Sequence, residues 1–248
     1  MAAVLEVCVG SVSSAVNAQL GGADRVELCS NLLIGGTTPG LHLAKQVRYH
    51  TDLKIRVLLR PRFGDFCYDR YELEQMADEA AEYAALGVDA IVTGMLTPDG
   101  HLDLAAMERI RSAIGTTTLA LHRAFDMCRD PFRTLEEAIS LGVSTILTSG
   151  QKNSAWEGRT LLKQLVSQSA GRTEILAGAG VGPGNLRALA ETTGIRAFHM
   201  SGKRIKDSAM RFRRQDVSMG LPGFDEYQLW ETDSEAVRAA SSILRSLD

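Results

Sequence analysis

The chain has 248 residues, 45% of them hydrophobic, and a formal net charge of −3 at pH 7, enough for one large domain with a sizeable core. The slightly acidic balance gives no reason to expect a nucleic-acid or membrane-surface partner, and no apolar run approaches the roughly 20 residues of a membrane helix. The four cysteines, behind a start that reads as strand rather than signal peptide, are expected to be reduced thiols in the cytoplasm.

In chain order, the first expected strand is VLEVCV at 4–9. The second follows Gly22 and runs through Val26-Glu27-Leu28, the third is KIRVLLR at 54–60, and the fourth follows Gly87. TTLALH at 117–122 is the fifth, the run after Gly142 the sixth, TEILAG at 173–178 the seventh, and the run after Gly194 the eighth. Gly22, Gly87, Gly142 and Gly194 form a fourfold echo: each follows a helix-like stretch, as a helix stop does, and opens a strand. Segments such as 69–86, with Leu73, Met76, Ala80, Tyr83 and Leu86 near helical spacing, separate the strands. This alternation predicts an α/β fold, a single (β/α)8 TIM barrel over 1–248 with no second domain. A doubly wound open sheet does not explain the echo. Thr232 to Glu235 resembles a capping box for a last helix carrying Val237, Ala240, Leu244 and Leu247.

Residues two apart on a strand share a face. Glu6 and Cys8 therefore point one way on the first strand, and Glu27 and Cys29 on the second, with Val7 and Leu28 opposite. A buried carboxylate is costly unless paired, so two acids and two thiols converging on neighbouring strands mark a site. In a barrel of this type the functional face lies at the C-terminal strand ends. Those ends supply Arg60 and Arg62, His122 followed by Asp126, Gly178 and Gly180, and His199, Ser201 and Gly202. Arg60 and Arg62 are expected to fork onto a carboxylate or phosphate. Gly178, Gly180, Ser201 and Gly202 are expected to bring backbone N–H groups to an anion. In an enzyme, isomerase or lyase in type and acting on a small phosphorylated or carboxylated metabolite, Glu27, Arg60 and His122 would be the catalytic set. Asp126 or a neighbouring Glu would orient His122. The bland alternatives are an Arg60 that neutralises Glu27 or Asp65, and cysteines that fill space. Cys67 and Cys128 read as loop or packing residues, and the basic run from Lys203 to Arg214 as a solvated loop or lid.

The segments LEVCVGSVSSAVNAQLGGADRVELCS, GGTTP at 35–39, RPRFGDFCY at 60–68, HRAFDM at 122–127, LTSGQ at 147–151 and AGAGV at 177–181 resemble, in order, the CutC proteins, named for copper homeostasis. The resemblance implies a cytosolic, homo-oligomeric (β/α)8 barrel that handles copper, with Cu(I) bound by thiols matching Cys8 and Cys29. Thiolates suit Cu(I), and barrel closure sets the eighth strand beside the first, making His199 a candidate third ligand. Glu6 and Glu27 disfavour thiolates nearby, which Arg60 and Arg62 are expected to offset. Phe63 stands where the family usually has glycine, and Pro39-Gly40 where Pro-Ser is common.

Overall fold

Eight parallel strands, β1 (Val4–Val9), β2 (Arg25–Leu28), β3 (Lys54–Leu58), β4 (Ala90–Thr93), β5 (Thr118–Leu121), β6 (Thr145–Thr148), β7 (Glu174–Ala177) and β8 (Ala197–Met200), close into a barrel in sequence order. The computed structural model describes residues 3–214, 216–220 and 223–247; the remaining ends of the expected 1–248 span lie outside the described residues. β1 pairs with both β2 and β8, which completes the ring. Outside it run α1 (Val12–Leu20), α2 (Leu41–His50), α3 (Arg70–Ala85), α4 (Leu104–Ala113), α5 (Pro131–Ser140), α6 (Arg159–Ser169), α7 (Leu186–Thr193) and α8 (Ser234–Arg245). The (β/α)8 expectation holds, and each echo glycine leads into an even-numbered strand.

Period-two alternation divides the strand residues between two cores. Leu5, Val7, Val9, Val26, Leu28, Ile55, Val57 and Ile91 face outward and pack under helix residues such as Ala15, Val47, Met76 and Ile110. Leu147, Leu176 and Ala197 form a separate, smaller cluster with Val4. That cluster shares the inward strand face with polar residues: Glu6, Arg25, Glu27, Arg56 and Thr145 are all buried. Helix starts follow ordinary capping chemistry, as where Asp69 and Glu72 close a capping box on α3 and Asp130 caps α5 ahead of Pro131.

Two local expectations are corrected. Thr232 is not a cap: it ends a strand, and Asp233 caps α8 by accepting from the Glu235 backbone N–H. The first half of the basic run is also not a loop. Lys203–Asp207 forms β9, which pairs antiparallel with β10 (Gln228–Thr232) as a hairpin beyond β8. Alternation is weak there, because β9 is solvent-exposed throughout and only Ile205 interrupts its charged residues. Among the described residues, no helix is long and apolar enough to cross a membrane.

Candidate functional site

The polar interior begins with Glu6. Its side chain is 1% exposed and takes Arg25 Nε at 2.6 Å, His199 Nδ1 at 2.8 Å and Arg56 at 3.4 Å. Arg25 and Arg56 also reach Glu174, at 2.6 and 3.9 Å, and Arg56 donates to Thr145 Oγ1. Burial alone would push the Glu6 carboxyl up. The hydrogen bond from His199 and the charges of Arg25 and Arg56 outweigh it and bring it to about 2. Glu6 is therefore an ionised counter-charge.

His199 links this network to the thiols. Its Nδ1 side is held by Glu6, while its Nε2 lies 3.9 Å from Glu27 Oε2. Burial would lower the imidazolium's pKa, but Cys8, Glu6 and Glu27 together hold it well above the ordinary histidine range. Glu27 goes the other way from Glu6, pushed up chiefly by burial. The Cys29 thiol donates to Glu27 Oε2 at 3.6 Å and is pushed well up by burial, then by Glu27 and Cys8.

The two thiols do not sit directly opposite each other. The β1–β2 register pairs Cys8 with Glu27, so Cys29 lies two residues farther along the neighbouring strand. Barrel shear sets this stagger. Both cysteines nevertheless line one cavity of about 200 Å³, together with Glu27, His199, Arg60 and His122. Cys8 also lines a neighbouring outer cavity of about 400 Å³, with Ser11, Ser201, Lys203 and Trp230. Lys203 Nζ stands 3.5 Å over the Trp230 ring.

The remaining predicted residues divide. Glu27, Arg60 and His122 come together on the inner cavity as expected. Arg62 does not join them: it pairs with Asp65 and Glu72, at 2.9 and 2.5 Å, and donates to the Cys67 carbonyl. β3 ends at Leu58, so the period-two argument no longer applies at residue 62. The twin-arginine fork is not formed, and Arg25 and Arg56, rather than Arg60 and Arg62, balance Glu6. Asp126 does not orient His122, because its carboxylate is taken by Arg123, Thr148, Ser149 and Gln151. Instead, His122 Nδ1 accepts from the Ala124 backbone N–H at 3.1 Å. Gly178 and Gly180 line neither cavity. The Gly178 N–H is spent on the Thr148 carbonyl, and the Gly180 carbonyl is held by Asn185. Ser201 faces the outer cavity, and the Gly202 carbonyl accepts from Asp233.

Sequence reasoning missed Arg25 and Arg56. The signal was present: Arg25 shares a face with Glu27, and Arg56 shares one with Leu58 and Arg60 on the third expected strand.

Gly94 fixes the His122 wall. A Cβ at Gly94 would lie 2.7 Å from Leu121 Cδ1, 2.9 Å from His122 Nδ1 and 3.0 Å from Ala124 Cβ. Gly94→Ala is expected to cost about 1–3 kcal/mol of stability by overpacking and to shift the His122 ring resonances. Urea unfolding and imidazole NMR check both effects.

Comparisons with known proteins agree with one another. The CutC family model matches residues 3–204. A "family protein CutC" from Chromobacterium violaceum is 43% identical over 97% of this chain and 98% of its own. A human "Copper homeostasis protein cutC homolog" is 40% identical over 98% of this chain and 90% of its own. A crystal structure described as a CutC copper homeostasis protein from Streptococcus agalactiae superposes with a TM-score of 0.77. It is 31% identical and covers 80% of this chain and 98% of that one.

Proposed function

The chain belongs to the CutC family, and from that premise we propose that it serves copper homeostasis by holding Cu(I) between the thiols of Cys8 and Cys29. The observation that carries this reading is that both sulfurs line a single cavity at the barrel mouth. Soft sulfur donors suit Cu(I), which accepts a low coordination number. Among the described residues, no group of three or more His, Cys, Asp and Glu side chains is placed to hold a metal ion.

The surroundings hold Cys29 as a thiol, pushed up by burial, Glu27 and Cys8, so metal binding itself must drive the proton off. Cys29 has to release its proton, and Glu27 Oε2 stands 3.6 Å from its sulfur to accept it. His199, held protonated beside Cys8, cannot donate a lone pair while cationic. It serves better as counter-charge to a thiolate than as a third ligand. Cys8 faces both cavities and Cys29 only the inner one, which suits entry through the outer cavity, with Cys8 met first. The same reading carries a cytoplasmic location, where thiols stay reduced, and assembly into homo-oligomers.

Anaerobic Cu(I) titration against a competing chromophoric chelator tests the proposal. One tightly held ion per chain is expected, and it should be lost in the Cys8→Ser/Cys29→Ser double variant. Undiminished stoichiometry and affinity in that variant would remove the proposal.

A further inference from the structure

The wall facing the thiols has chemistry that copper does not use. Arg60 is 7% exposed, yet among the described residues no carboxylate lies within ion-pair distance of it. Its two terminal nitrogens donate to the backbone carbonyls of Ile34, Gly36 and Gly64, and its Nε has no partner. The neighbouring Arg123, by contrast, is neutralised by Asp126 at 2.7 Å. A buried cation is ordinarily paired with an opposite charge. Arg60 instead meets neutral carbonyls, the nearby Tyr68 hydroxyl, and the Phe66 ring, 5.1 Å from its guanidinium carbon.

His122 presents a second unused donor beside it. The imidazole is 4% exposed and lies 4.9 Å from the same Phe66 ring, centroid to centroid. Because Nδ1 accepts from the Ala124 N–H, the ring proton of the neutral form sits on Nε2. Nε2 is buried without a partner, and so is Glu27 Oε1 across the cavity. Three side chains on one cavity thus each leave a buried polar atom unmatched, two of them N–H donors and one a carboxyl oxygen.

We propose that this cavity is a binding site for a small hydroxycarboxylate, its carboxylate accepting from Arg60 Nε and His122 Nε2 and its hydroxyl meeting Glu27 Oε1. The size fits: about 200 Å³ corresponds to a handful of waters at about 30 Å³ each, room for a compound of a few carbons. A monoanion suits the site better than a phosphate dianion. Only one guanidinium is unneutralised, Glu27 stands opposite, and the glycine loops that would supply further N–H groups line other space. The cavity is the one the thiols line and Glu27 Oε2 meets Cys29, but none of the proposed ligand contacts is to sulfur, so this inference goes beyond the copper reading.

Calorimetric titration of metal-free protein with glycolate, lactate, acetate and inorganic phosphate tests it, and the absence of metal separates its failure from failure of the copper reading. Saturable one-to-one binding of glycolate or lactate is expected, tighter than acetate and tighter than phosphate. Arg60→Met is expected to weaken binding roughly ten- to hundredfold, the range for losing a charged hydrogen bond. Should that variant fold poorly, His122→Phe keeps the ring contact with Phe66, removes the Nε2 donor together with the acceptor of the Ala124 N–H, and is expected to weaken binding about tenfold. Arg62→Ala, outside the cavity, should bind as the parent does. No saturable binding by any of the four anions at tens of millimolar would overturn the proposal. So would unchanged affinity in a folded His122→Phe, or phosphate binding tighter than glycolate.

Discussion

Replacing Glu6 with glutamine is expected to lower folding stability by about 3–5 kcal/mol, the usual cost of breaking a buried ion pair from one side. Among the described residues, Glu6 is the single carboxylate that Arg25, Arg56 and His199 all approach within 3.4 Å. Its side chain is 1% exposed, so water cannot replace the lost charge. Glutamine keeps the shape but leaves these cations with Glu174, one third exposed, and with Glu27, which burial keeps reluctant to ionise. An exposed network gives the contrast. Removing Arg62, which is 36% exposed and pairs with Asp65 in its own loop and Glu72 in the first turn of α3, should cost less than about 1 kcal/mol. Urea denaturation of both variants measures the difference, and equal stabilities would show that the interior network contributes no more than a surface pair.

The second large effect is acid lability traceable to His122. Burial, and then the charge of Arg60, push its imidazole down to about 3 from an ordinary 6.5. Above pH 6.5 it is neutral in both the folded and the unfolded chain, and its contribution to stability is fully present. Below pH 6.5 the unfolded chain takes up a proton that the folded chain refuses until about pH 3. Stability should therefore fall by roughly 1.4 kcal/mol per pH unit on account of this one residue. His199 titrates with the opposite sign: its stabilising effect is present below pH 6.5 and lost only as pH rises through its raised folded value. Glu6, lowered from 4.5 to about 2, adds a further loss only as pH drops below about 4.5. Glu27, pushed up from 4.5 by burial, has the opposite sign and gains stability as pH falls through its raised folded value, so between 6.5 and 4.5 the His122 contribution is read as the difference between the parent and His122→Phe curves. Urea unfolding across that interval should show the slope in the parent chain and a shallower one, by about one proton, in His122→Phe. Parallel curves would mean that His122 titrates normally.

Much of the architecture was legible because local patterns repeat. The glycine echo marked every second strand, and period-two alternation turned Glu6, Cys8, Glu27 and Cys29 inward together. Stagger between strands was not legible. Barrel shear is a property of the closed ring, so nothing in VLEVCV or DRVELC announces that Cys8 faces Glu27 rather than Cys29. Arg62 shows the limit of periodicity, since alternation carries information only while the strand lasts and β3 stops at Leu58. Arg25 and Arg56 were visible on the right face but sit toward the strand beginnings, outside a search confined to the strand ends. The hairpin of β9 and β10 escaped because β9 is exposed throughout, β10 over its first three residues, and the two pair across a long intervening segment, which leaves little local signal.

X-ray absorption at the copper edge tests most directly whether Cys8 and Cys29 jointly hold Cu(I) in the inner cavity. Protein loaded with one equivalent of Cu(I) should give a first shell of two sulfur scatterers, and that shell should vanish in the Cys8→Ser/Cys29→Ser variant. A first shell of nitrogen or oxygen, or a spectrum that the double substitution leaves unchanged, would contradict it.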